Sequence, residues 1–215
     1  MQLIRVDSQK AYQILWDRIT SLELPPGSPL DIADLAEDLA LSQASIKEAL
    51  RLLVHEHLVE APPRGLYVAG LEFSDLEKIS NIRLNLESLA AQQAARNAQE
   101  DDLIILESLC QEEAADTRAH FELDQKFHRA IAQAAHNEYL AATLKHFYGL
   151  SKRLWFLALP YLDFLPTAVQ SHIDLVEAIQ EGDEPRAMDI MAGHIEEFYR
   201  KITRIIQEQN LMGSS

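Results

Sequence analysis

Asp31-Ile-Ala-Asp-Leu-Ala-Glu-Asp-Leu-Ala-Leu-Ser-Gln-Ala-Ser-Ile-Lys-Glu-Ala-Leu50 decides how the N-terminal part of this chain folds. Its apolar residues keep helical spacing twice, with an interruption between. Asp31 opens one helix that turns Ile32, Leu35, Ala36 and Leu39 inward. Leu41-Ser42 is a short turn, and a further helix over Ser45–Val54 buries Ile46, Leu50 and Leu53. Two short helices, a tight turn and the small Ala36 near their crossing predict a helix-turn-helix.

The flanks complete a small domain. Upstream, Ser8–Leu22 reads as a helix capped by Ser8, with Ala11, Ile14, Leu15, Ile19 and Leu22 on one face. Leu24-Pro-Pro-Gly-Ser-Pro29 stops it. Downstream, Leu58-Val-Glu60 and Leu66-Tyr-Val68 are strand-like and joined by Ala-Pro-Pro-Arg-Gly65, so a β-hairpin wing follows the helix-turn-helix. The domain is expected to span 1–70.

Leu24-Pro-Pro-Gly-Ser-Pro-Leu30, Leu35-Ala-Glu37, Leu41-Ser42, Glu48-Ala-Leu50, His57-Leu-Val59 and Pro63-Arg-Gly65 resemble the winged helix of GntR-family transcription regulators. The family's usual run is PG-x-x-L, LA-x-x-x-G-V-S-R-T-P-V-R-E-A-L, G-L-V and R-G. The resemblance implies double-stranded DNA contacts at Ser42, Gln43, Ala44, Ser45, Lys47 and Arg64, with Arg51 one turn beyond Lys47. The departures fall in the recognition helix. Gln43 and Lys47 stand where the family has arginines, Ala44 replaces threonine, Ile46 replaces valine, and His57 occupies the glycine position. Planar bidentate donors to guanine and phosphate are thereby lost. Weak or altered, strongly salt-dependent operator binding is expected.

Composition agrees with a helical globular protein. Of 215 residues, 47% are hydrophobic and 25% charged, with only 7 Gly and 8 Pro. The net charge is −15. The first 70 residues carry 6 basic and 10 acidic side chains, so DNA binding has to come from local geometry rather than bulk charge. Cys110 is the lone cysteine, which excludes an intrachain disulfide and fits a reducing compartment. Without a signal-like opening or a long apolar run, a cytoplasmic protein away from the membrane is expected.

Beyond Phe73 only helices are predicted, an antiparallel all-α bundle over 71–215. Expected helices run from Ser74 to about Asn97, Asp101 to Ala115, Phe121 to Ala135, Tyr139 to Leu159 and Thr167 to Gln180, with a last one after Asp183. Ile79, Ile82, Leu86, Leu89 and Ala90 should face inward on the first. Phe121, Asp124, His128 and Ile131 share one apolar stripe, where a carboxylate and an imidazole are costly unless satisfied. An Asp–His pair at i, i+4 alone reads as a buried hydrogen bond. But His172 lies in line with Val169, Val176 and Ile179, and His194 lies between Met191 and Phe198. If these faces surround one core, the four side chains converge and can hold a divalent transition metal such as Zn, Ni, Fe, Co or Mn.

Asp124-x-x-Phe-His128, Asn137 with Leu140, His172, Ala178-x-x-x-Gly-Asp183, Ala187 and His194 resemble the FCD effector domain of the FadR subfamily. That resemblance implies Asp124, His128, His172 and His194 as metal ligands. It implies Arg83, within the pattern Arg-x-x-x-Glu87, and Asn137 as effector-binding positions. The plainer readings are a surface Arg83–Glu87 pair and an Asn137 helix cap. Trp155, Phe156 and Tyr161 could line a pocket, though core packing accounts for them. The whole reads as a homodimeric, metal-dependent transcription regulator that senses a small carboxylate and binds a palindromic operator. Its rivals are a regulator sensing the metal itself, a metal-dependent hydrolase, and an interaction module that has lost DNA binding.

Overall fold

The computed structural model describes residues 2–161 and 169–209. The described elements run α1 (Gln2–Thr20), α2 (Ile32–Asp38), α3 (Gln43–His55), β1 (Val59–Glu60), β2 (Tyr67–Val68), α4 (Phe73–Asn97), α5 (Glu100–Gln111), α6 (Thr117–Ala134), α7 (Glu138–Ala158), a 3-10 turn (Leu159–Tyr161), α8 (Val169–Gln180) and α9 (Glu184–Gln209). They form two compact units. One is Met1–Glu72 with Lys152–Phe156, and the other is Phe73–Ser151 with Leu157–Ser215.

In the first unit, capping sets where the helices begin. The Asp31 carboxylate accepts the Ala33 and Asp34 amides at 2.7 and 3.1 Å, so α2 starts at Ile32. Ser42 Oγ accepts the Ser45 amide at 3.1 Å, so α3 starts at Gln43, two residues before the expected Ser45. Both helices end in a left-handed residue, Ala40 (φ 51°) and His57 (φ 59°). The next amides reach back, Leu41 to the Ala36 carbonyl and Leu58 to the Leu53 carbonyl, each at 3.0 Å. This is the Schellman closure, which glycine adopts without strain. Ala40 and His57 stand where the family's run has glycine. Ala11, Leu15, Ile19, Ile46, Leu50 and Leu53 are buried beneath these helices. The wing pairs Val59 with Val68 and Glu60 with Tyr67, antiparallel. Each strand is a residue shorter than expected, lacking Leu58 and Leu66.

In the second unit, α4 packs along α9 and α6, α8 packs on α9 and α4, and α5 lies against α6 and α8. Ala90, Ala91, Ala94 and Ala95 put small side chains on the buried side of α4, against a core that includes Phe127, Ile131, Leu175 and Ile195. Asp116 caps α6 through the Ala119 amide at 2.8 Å, so this helix starts a turn before the expected Phe121. The expected Asp101–Ala115 helix ends sooner, at Gln111. Pro166 and Thr167, the expected start of the helix containing His172, lie outside the described residues. Trp155 is buried and Tyr161 exposed.

The orientation of α4 corrects the sequence reading. Ile82 and Leu89, expected inward, are 41% and 39% exposed, whereas Arg83 and Glu87 are 3% and 1% exposed. The pair neutralises its own charge, Arg83 Nη2 to Glu87 Oε1 at 2.6 Å, and can therefore occupy the stripe a core demands. Arg83–Glu87 is thus a buried pair and not a surface one.

Candidate metal centre

α6 supplies Asp124 and His128 one turn apart, α8 supplies His172 and α9 supplies His194. One donor atom from each falls within 4.8 Å of all the others. His128 Nε2 lies 3.1 Å from His194 Nε2. Asp124 Oδ1 is 3.3 Å from His172 Nε2, 3.6 Å from His128 Nε2 and 3.8 Å from His194 Nε2. Donors held about 2.1 Å from one divalent ion stand roughly 3.0–3.4 Å apart at neighbouring positions. The set is slightly wider than that and needs little contraction to close on an ion. Asp124 Oδ1 and His172 Nε2 are buried without a hydrogen-bond partner. Each is the other's near neighbour, at 3.3 Å without hydrogen-bond geometry, and an ion held between them satisfies both.

Surrounding residues aim the donors. His128 Nδ1 donates to Glu87 Oε2, leaving Nε2 as the lone-pair donor. Ser171 Oγ is 2.9 Å from His194 Nδ1 and orients that ring similarly. Phe127 stacks on His172, centroids 4.0 Å apart and 16° from parallel. Tyr148 donates to Glu87 Oε2 at 3.2 Å, and Arg83 lies 5.2 Å from the Tyr148 ring centroid.

The electrostatics follow from burial and these partners. Burial disfavours an imidazolium at His128, but the Glu87 and Asp124 carboxylates outweigh it and raise the pKa to about 9. Burial, with the His128 charge, drives His194 down to about 3. Burial opposes ionisation of Asp124, yet His128 and His172 hold its carboxyl well below the ordinary value. Glu87 is likewise held low against burial by Arg83 and His128. A cavity of about 340 Å³ reaches the cluster at Asp124 and His172.

Residues 78–197 match the FCD domain, and residues 7–68 match the family described as bacterial regulatory proteins, gntR family. The chain belongs to the gntR family and carries an FCD domain. It is similar to the HTH-type transcriptional repressor RspR of Escherichia coli K12, 26% identical over 94% of this chain and 92% of that protein. A probable D-xylose utilization operon transcriptional repressor of Paenarthrobacter nicotinovorans is 30% identical over 80% of this chain and 78% of that one. The solved E. coli McbR/YncC structure shares the fold at TM-score 0.79 and 20% identity, covering 94% and 98% of the two chains. These families and relatives are DNA-binding transcription regulators and not enzymes. Among the described residues, no helix is long and apolar enough to cross a membrane.

In this gntR-family regulator the residues predicted to meet DNA fare unequally. Gln43, Ala44 and Lys47 are exposed along the start of α3. Ser42 is exposed, but its Oγ caps that helix. Ser45 is fully buried, with its Oγ 2.9 Å from Ser42 Oγ, so it is corrected from a contact to an inward-facing structural residue. Arg51 is paired with Glu48 at 2.7 Å and would have to leave it to reach phosphate. Arg64 sits at the wing with its guanidinium 5.0 Å from the Tyr67 ring centroid.

Both effector positions have structural partners, and Asn137 makes the helix cap of its plainer reading. Asn137 caps α7 through the Leu140 amide at 3.1 Å, and its Nδ2 donates to Gln93 at 3.1 Å. It lines a different cleft, with His136 and Tyr139, away from the four donors. Arg83 is joined to the cluster through Glu87. Glu87, Ser171 and Tyr148 were not singled out as parts of the site; the Arg83–Glu87 spacing was the one available signal.

Proposed function

We propose that this protein is a metal-dependent, ligand-responsive transcription regulator, holding a divalent transition metal at Asp124, His128, His172 and His194. The convergence of the four donor atoms, two of them buried without a hydrogen bond, supports the reading. Three imidazoles and one carboxylate suit Zn, Ni, Fe, Co or Mn better than calcium. Such an ion supplies charge and open positions for an oxygen donor, and a small carboxylate effector suits them. Glu87, Ser171 and Phe127 hold the histidine rings for the ion. The protein works in the cytoplasm as a homodimer, and the exposed Ile82 and Leu89 on α4 offer a second copy an apolar face. Paired winged helices then read a palindrome with half-sites roughly 34 Å apart, or a multiple of that. Effector binding shifts the conformational population and with it the operator affinity.

Elemental analysis and native mass spectrometry of the purified protein test this together. One metal per chain and a dimer mass are expected, with metal lost in the His128→Ala/His194→Ala variant. Metal retained by that variant overturns the site. Operator binding that follows metal titration with no organic ligand would instead favour a sensor of the metal itself.

A further inference from the structure

The cavity beside the cluster has a charge pattern that bears on what enters it. One wall carries Asp124 and His172, more than nine-tenths buried, with Asp124 Oδ1 and His172 Nε2 facing each other at 3.3 Å without a hydrogen bond. The segment after α5 lines another part and brings Glu112 and Glu113. Gln111 and His120 add to the polar lining, and neither lysine nor arginine stands among the described residues that line the cavity. Lys126 pairs with Glu112 at 3.1 Å and offsets part of that carboxylate's charge, both side chains being about half exposed. Glu113 is exposed. Burial lifts the Cys110 thiol to about 11, so it remains uncharged.

A ligand in this cavity therefore meets opposite fields at its two ends. With the ion present, the Asp124 and His172 side is positive on balance and takes a carboxylate. The Glu112 and Glu113 side repels a second carboxylate and attracts a cation. Arg83 cannot reverse that balance, because its charge is matched by buried Glu87.

We infer that the effector is a zwitterion, with one carboxylate for the metal side and a cationic group facing Glu112 and Glu113. This rests on reading the cavity as an effector site next to a bound ion. A dicarboxylate is disfavoured and an uncharged tail is intermediate.

Three probes share a (CH2)3–carboxylate and differ only at the far end: 4-aminobutyrate, pentanoate and glutarate. Calorimetric titration of each into full-length zinc-loaded protein at pH 7, where the amine is protonated, reads the preference. Expected is 4-aminobutyrate binding about fivefold tighter than pentanoate, and glutarate weaker than both. In the Glu112→Gln/Glu113→Gln variant the three affinities should converge to within about twofold. Glutarate binding as tightly as 4-aminobutyrate overturns the inference while leaving the effector site standing. So does an unchanged preference in the variant, provided its zinc stoichiometry matches the parent. If zinc binds and none of the three probes does, the carboxylate-effector reading falls, and this inference falls with it.

Discussion

Replacing Glu87 by glutamine removes one charge from the middle of the bundle with almost no change in volume. Glu87 is 1% exposed, pairs with Arg83, accepts from His128 Nδ1 and accepts from the Tyr148 hydroxyl. In Glu87→Gln, Arg83 becomes a buried cation without its anion, a defect that costs about 3–5 kcal/mol. His128 also loses the carboxylate that raises its basicity toward the metal, which weakens metal binding about 10–100-fold. These two effects are separable. Adding Arg83→Met removes the orphaned cation, so stability should recover most of the loss while zinc affinity stays low. Urea unfolding of chelator-treated protein reads the first effect, and competition titration with zinc reads the second. Zinc affinity within twofold of the parent in both variants would refute the role given to Glu87. Equal stability of Glu87→Gln and parent would refute the burial argument for the pair.

Three further outcomes follow from the same geometry. Ala40→Gly and His57→Gly should each stabilise the protein by about 1 kcal/mol, read as a higher urea midpoint, because both residues sit in the left-handed region. Metal-free protein should be most stable near pH 6.5. Above that, His128 keeps a proton up to about 9 that the unfolded chain releases, so stability falls as pH rises. Below it, the unfolded chain protonates the His194 side chain while the folded one resists down to about 3, so stability falls as pH drops; chelator-treated thermal melts between pH 4 and 9 check both arms. Gln43→Arg with Lys47→Arg, both at exposed positions of α3, should tighten operator binding about tenfold and steepen its dependence on salt, measured by fluorescence anisotropy.

Much of the architecture was legible before any coordinates. Asp31 has a short side chain that reaches its own helix amides, so that helix start lies in local chemistry, whereas Ser42 reads as a turn residue and only the structure shows it capping α3. Asp124, His128, His172 and His194 stood out because each interrupts an apolar stripe, and a stripe's period belongs to its own helix. Ser45 was misplaced because a serine serves a DNA phosphate or a neighbouring cap equally well, and only the packing of α3 turned it inward. Likewise, Arg83 and Glu87 one turn apart satisfy each other whether the helix face is wet or dry. The rotation of α4 is decided by α6 and α9, which packed against its alanines and left Ile82 and Leu89 outside. That rotation placed Glu87 on His128. The four converging positions were a property of the sequence; the residue that orients His128 came from helix packing, because a self-neutralised pair carries no local sign of which side it faces.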